Sequence, residues 1–159
     1  MERLILVLIF LLVFPGCAGV SKSSFPKKLP ETSPTRVVEG FLEALKKDDF
    51  EQAYGFVFTP FSDREGYILR MKNLVENYRS SIVGYRILAT QILGDSAIVV
   101  AELQVKLKPM GSNGEIHKTT RNQYDLSVVE NKWRITSDKC IFNCITREDF
   151  AGHPLFKPK

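Results

Sequence analysis

Ala97-Ile98-Val99-Val100-Ala101-Glu102-Leu103-Gln104-Val105-Lys106-Leu107 carries an apolar residue at every odd position and, in its second half, a polar one at every even position. Side chains of an extended chain alternate between faces. Val99, Ala101, Leu103, Val105 and Leu107 therefore share a buried face, while Glu102, Gln104 and Lys106 look to water. The same rhythm continues on both sides. Val83–Ile92 leads in through the turn Gly94-Asp95, the loop from Pro109 to Gly114 leads out to Ile116–Val129, and the turn Glu130-Asn131 leads to Trp133–Ser137. Alternating runs separated by turn residues predict four antiparallel strands in a meander with one face buried. Trp133 and Ile135 share parity and should face the rest of the core, near Phe41 and Leu45.

Upstream the period changes from two to that of a helix. Ser33 and Pro34 supply an N-cap and a preset first helical position, and Val37, Val38, Phe41, Leu42 and Leu45 recur on one face, predicting a helix near 34–47. Asp49 with Gln52 forms a capping-box pattern for a short second helix whose apolar side is Phe50, Ala53, Tyr54 and Val57, closed by Thr59-Pro60. Ser62 with Glu65 repeats the box before Tyr67, Ile68, Met71, Leu74, Val75 and Tyr78. Phe41, Tyr54, Tyr67, Met71 and Trp133 are the candidates for lining a ligand pocket, although an aromatic stripe at helical spacing more often fills a core. Helices in one block and strands in the next give an α+β class, with the helices packed on a curved four-stranded antiparallel sheet.

With 159 residues, 44% apolar and 25% charged, the chain should form one globular domain. Its 22 basic and 18 acidic residues leave +4, too mild and too dispersed to mark a nucleic-acid binder. Arg79, Arg86, Lys106, Lys108, Lys118 and Arg121 read as a solvated face, because no aromatics interleave with them on one strand face. Three cysteines exclude a disulfide-dense miniprotein, and two histidines leave little for a His-rich metal site.

The amino terminus is a targeting segment. Arg3 precedes the apolar run Leu4–Phe14, which is too short for a bilayer core needing about 20 helical residues. Phe14-Pro15-Gly16-Cys17 resembles the bacterial lipobox: Gly16 and Cys17 fit, while Phe14 and Pro15 depart from the usual pattern, which leaves an ordinary signal with an incidental cysteine as the alternative. The resemblance implies cleavage before Cys17, acylation of its sulfur (palmitate-type chains), and, from Ala18, sorting to the outer membrane. The Gly-, Ser-, Lys- and Pro-rich stretch that follows reads as a flexible tether.

Val37-Val38-Glu39-Gly40-Phe41-Leu42-Glu43-Ala44-Leu45-Lys46-Lys47-Asp48-Asp49-Phe50-Glu51-Gln52-Ala53-Tyr54 resembles the opening helical pair of nuclear transport factor 2-like lipoproteins. Val128-Val129-Glu130-Asn131-Lys132-Trp133-Arg134-Ile135 is similar to that family's last hairpin. The resemblance spans roughly 34–138 and implies a cystatin or nuclear transport factor 2-like cone, with helices in the concavity of a bent sheet. Such folds host isomerases, cyclases, transport proteins, scaffolds and envelope lipoproteins, so the fold leaves the activity open.

No catalytic constellation converges. Isomerase-type members use a carboxylate base with a tyrosine and a neutral acid in an apolar cavity. The ingredients here are Asp125, Tyr124, Glu102, His117 and the helix tyrosines. His117 and Asp125 lie about 26 Å apart along one strand, and Asp125 shares parity with the polar Gln123 and Arg121. Cys140, Cys144 and His153 match no standard metal spacing. Cys140 and Cys144 are expected to form a disulfide in an oxidising compartment. Four residues along a strand span about 13 Å, so the segment must turn back to allow it.

The expected organisation is a lipoprotein signal peptide at 1–16, a tether at 17–33, the cone domain at 34–139 and a tail with the cysteine pair at 140–159. The expected function is a membrane-anchored envelope lipoprotein, lipid-anchored at the outer membrane and facing the periplasm, with a noncatalytic binding or interaction domain. The alternative is a small-molecule carrier or an isomerase- or cyclase-like enzyme using the cone cavity. Expected partners are the membrane through the N-terminal lipid, an envelope protein or a small apolar ligand, and a second copy of the chain. No cofactor, metal or nucleic acid is expected.

Overall fold

The computed structural model describes residues 30–59, 63–78, 80–108, 114–146 and 149. The signal segment, Cys17 and most of the tether lie outside the described residues, as do Ser62, Arg79, Phe150 and His153. Three helices, α1 (Pro34–Lys46), α2 (Phe50–Tyr54) and α3 (Arg64–Tyr78), precede four strands, β1 (Ser80–Leu93), β2 (Ser96–Leu107), β3 (Ile116–Val129) and β4 (Lys132–Phe142). The strands lie side by side in chain order, each antiparallel to the next.

The helix starts follow from local chemistry. Ser33 Oγ accepts the Arg36 N–H at 3.3 Å ahead of Pro34, and Asp49 Oδ1 accepts the Gln52 N–H at 2.9 Å. At α3 the cap is Asp63, which accepts the Gly66 N–H at 2.7 Å, one residue after the expected Ser62. The helix α2 stops at Tyr54, short of the expected Thr59-Pro60. Tertiary pairing takes over there: Ile135 N–H donates to the Phe56 carbonyl at 2.9 Å, and Phe58 N–H donates to the Ile135 carbonyl at 2.8 Å. Val57 is therefore extended against β4 rather than helical. The Phe56 ring passes so close over Gly40 of α1 that a Cβ there would stand 2.6 Å from it.

Curvature comes from bulges, each of which adds a residue to one strand and strengthens its twist. The strand β1 slips between Ile82 and Gly84 and again between Ile87 and Ala89. The β2–β3 ladder is unbroken from Ser96↔Ser127 to Leu107↔Ile116. The β3–β4 ladder slips twice, because Leu126 pairs Ile135 while Asp125 pairs Ser137, and Asn122 pairs Cys140 while Arg121 pairs Phe142. The last strand thus runs on to Phe142, well past the expected Ser137.

The concave face receives α1. Val38, Phe41, Leu42 and Ala44 bury against Val99, Ala101, Leu103 and Leu107, with Tyr124, Leu126, Trp133 and Ile135 completing the cluster. Trp133, 4% exposed, sits in this core as its parity requires. A smaller cluster of Phe50, Tyr67 and Ile68, with Tyr54, Met71 and Val75 packed on it, ties α2 to α3.

Candidate functional site

The core does not fill the cone. Among the described residues a cavity of about 630 Å³ remains between the helices and the concave face of the sheet. Phe41, Leu45, Phe50, Met71 and Val75 supply its helical wall, and Leu103 and Val105 part of its sheet wall. These are inward positions of the three helices and of β2 that periodicity assigns to a buried face, so the lining is mostly apolar.

The remaining wall is polar. Thr120, Asn122 and Tyr124 occupy alternate positions of β3 and share the inward face, since they pair with Leu103, Ala101 and Val99. Opposite them on β4 stand Asp138, paired with Tyr124, and Cys140, paired with Asn122. The bulge between Ile135 and Ser137 puts Asp138 there. Strict alternation from Trp133 and Ile135 would turn Ser137 and Lys139 inward, and the extra residue exchanges them for Asp138 and Cys140.

Tyr124 is 2% exposed and meets Phe41 edge-on, ring centroids 6.0 Å apart. Its hydroxyl has no hydrogen-bond partner among the described residues. Burial, and secondarily the Asp138 charge, hold its pKa well above that of an ordinary phenol, so the hydroxyl stays neutral. Asp138 also acts on Tyr67, whose pKa is pushed up to about 12 by burial and then by that carboxylate, against a lowering contribution from Arg70. Thr120 Oγ1 donates to Asn122 Oδ1 at 3.3 Å.

The mouth is shaped by a chain reversal. Asn143 takes the left-handed conformation (φ 48°), folding the chain back so that Cys144 Cα lies 5.7 Å from Cys140 Cα and the two are disulfide-bonded. Asn143 Nδ2 donates to the Thr119 carbonyl at 2.7 Å. Lys118 Nζ donates to the Cys144 carbonyl at 2.8 Å and to Asp149 Oδ2 at 2.7 Å. The Asp149 carboxyl is held below its ordinary range, first by Lys118 and then by the Thr146 N–H. Cys140, Cys144, Ile145 and Thr146 all border the cavity.

Of the pocket candidates, Phe41 and Met71 line this cavity. Tyr54 and Tyr67 do not: their rings pack on each other at 5.4 Å in the α2–α3 cluster. Trp133 also lies away from it, in the core and beside a second cavity of about 470 Å³ with Val37 and Phe56. The side chain of Tyr78 lies outside the description. The other acid/base ingredients occupy the convex face, where Glu102 is bridged by Arg86 at 3.0 Å and Arg121 at 3.3 Å, Asp125 accepts Gln123 Nε2 at 2.6 Å, and His117 is exposed. Asp138, Thr120 and Asn122 escaped the sequence reading. The break in alternation at Thr136-Ser137-Asp138 is the only trace of the bulge.

Several of the expected basic surface residues are engaged, Lys106 with Glu115 at 2.8 Å and Lys118 with Asp149. Among the described residues no group of three or more His, Cys, Asp and Glu side chains is placed to hold a metal ion. No helix among them is long and apolar enough to cross a membrane.

No family model and no curated protein matches the chain. Solved structures do. A ketosteroid isomerase-like protein from Erwinia carotovora atroseptica aligns with TM-score 0.55 at 11% identity, over 65% of this chain and 88% of that one. A candidate dehydratase of the nuclear transport factor 2-like family from Streptomyces avermitilis aligns with TM-score 0.50 at 13% identity, over 70% and 94%. A nuclear transport factor 2-like protein from Cytophaga hutchinsonii gives 0.51 at 12%, over 68% and 93%. The chain has the nuclear transport factor 2-like fold, and identities this low carry the fold alone.

Proposed function

We propose that this chain, a nuclear transport factor 2-like cone whose structural neighbours include isomerase-like and dehydratase-type proteins, is a membrane-tethered module that binds a small, mostly apolar molecule in its cavity. One observation carries the reading: about 630 Å³ of open space bordered by apolar side chains and by the buried, unpartnered hydroxyl of Tyr124. Protein interiors are close-packed, with few voids larger than a water, whereas ligand sites typically enclose about 300–1,000 Å³. A buried hydroxyl without a partner costs free energy that a ligand can recover. Binding is favoured over catalysis because Asp138 is exposed and no hydrogen bond joins it to Tyr124, so the pair lacks the contact of a proton relay.

The tether belongs to the same proposal. Cleavage before Cys17 and acylation of its sulfur would hang the domain (34–139) and its tail (140–159) from the membrane by the 17–33 linker, in the cell envelope. The Cys140–Cys144 disulfide supports an oxidising compartment. Replacing Cys17 by Ser should move the protein from the membrane fraction to the soluble one or leave it unprocessed. Wild-type protein already soluble would contradict the anchor.

The cavity is tested with N-phenylnaphthylamine, a neutral fluorophore that brightens in apolar surroundings, on the full chain carrying Cys17→Ser and purified without detergent. Saturable brightening is expected, and Leu103→Trp, which fills the space, should remove it without changing the circular dichroism spectrum. Absence of saturable binding to the unfilled protein would refute the reading.

A further inference from the structure

We infer that the cavity selects a ligand bearing a cationic nitrogen on an apolar body, an amine or quaternary ammonium, with Asp138 as its counter-charge and Tyr124 as its ring and hydroxyl partner. The inference rests on the small-molecule reading above and adds the sign of the ligand's charge.

Among the described residues the charges bordering the cavity are all of one sign. Asp48 and Asp138 line it, and no Lys, Arg or His does so among the described residues. The cation at the mouth, Lys118, is spent on Asp149 and the Cys144 carbonyl. Elsewhere on the sheet, carboxylates have partners: Glu102 has Arg86 and Arg121, Glu115 has Lys106, and Asp125 has Gln123 and Lys139. Neither Asp48 nor Asp138 has an ion-pair partner among the described residues. The Asp138 charge reaches into the apolar wall, where it acts on the hydroxyls of both Tyr124 and Tyr67.

Three classes of ligand can be compared on these groups. An anion meets two carboxylates and, among the described residues, no compensating cation. A neutral apolar molecule leaves both Asp138 and the Tyr124 hydroxyl unanswered. An alkylammonium answers Asp138 and can lie against Tyr124, because Tyr124 and Asp138 are a cross-strand pair, whose Cβ atoms stand about 4.5–5.5 Å apart in such a geometry. The ammonium can then face the carboxylate while its apolar body lies along the Tyr124 side chain. The Phe41 and Tyr124 rings, which meet edge-on at this wall, offer a π-face to the same charge. A quaternary ammonium keeps the charge and ring contacts and gives up only the donated hydrogen bonds.

Three probes of similar shape separate the cases: naphthylmethylamine, naphthylmethanol and naphthoate, each titrated by calorimetry into the full chain carrying Cys17→Ser. The amine is expected to bind about fivefold more tightly than the alcohol, a modest factor because Asp138 is solvent-accessible, and naphthoate most weakly. Asp138→Asn should erase the advantage of the amine and leave the affinity of the alcohol unchanged, which also shows that the variant is folded. Tyr124→Phe should weaken amine and alcohol together. An alcohol bound as tightly as the amine, a preference for naphthoate, or an ordering unmoved by Asp138→Asn overturns the inference while leaving a small-molecule site standing. Failure of all three probes to bind overturns both.

Discussion

Asp138 and Trp133 sit five positions apart on one strand and show what a sequence discloses at the scale of a residue. Trp133 and Ile135 are inward by simple alternation and prove to be buried, at 4% and 3% exposure. Asp138 is inward only because a bulge intervenes, and a bulge depends on the register with β3, which the order of residues does not display. The pocket candidates divide for a similar reason. A helical stripe fixes which side of a helix is apolar but not what it meets, so Phe41 and Met71 border the cavity while Tyr54 and Tyr67 fill the space behind it. The placement of Trp133 carries a stability prediction. Trp133→Ala should cost about 3–5 kcal/mol in urea unfolding as a buried large-to-small change. A loss below about 1 kcal/mol would contradict its burial in the core.

At the scale of elements, α1, β2 and β3 were legible because nothing interrupts their periods or their caps. The strand β4 and the helix α2 were legible at their starts but not at their ends: backbone pairing of Phe56 and Phe58 with Ile135 ends the helix early and draws its last apolar residue onto the strand. Beyond the cavity mouth, β4 ends in two locks. The disulfide closes a loop with a sequence separation of only 4, so its loss should cost about 2 kcal/mol on the chain-entropy estimate. In the Cys17→Ser chain, denatured without reductant, neither remaining thiol should react, and two reactive thiols would contradict the bond. The second lock is the ion pair of Lys118 and Asp149. Because the folded carboxyl titrates below its unfolded pKa of about 3.9, the pair contributes stability above that pH and loses it as pH falls through the lower folded value. Protection of the Thr146 amide from exchange, taken relative to its intrinsic rate at each pH, should be high at neutral pH, where its N–H is bonded to Asp149 at 2.6 Å, and fall below about pH 4. Protection indifferent to this acid range would contradict the lock.

For the whole molecule, the order of helices and strands and one buried sheet face were enough to anticipate the architecture, since few arrangements cover a four-stranded meander with three preceding helices. The cavity was not foreseeable in the same way. Periodicity marks residues as inward, but it does not say whether their volumes fill the space they enclose, and here the bend of the sheet and the position of α3 leave it open. The proposed function requires that space to be a binding site. The most direct measurement is a titration of the isotope-labelled Cys17→Ser chain with N-phenylnaphthylamine, followed by NMR of methyl groups and aromatic rings. Saturating shifts should concentrate on Leu45, Met71, Leu103 and Val105 and on the Tyr124 ring, leaving Val100 and Val129 on the convex face unmoved. Shifts confined to the convex face, or none at saturating probe, would contradict the account.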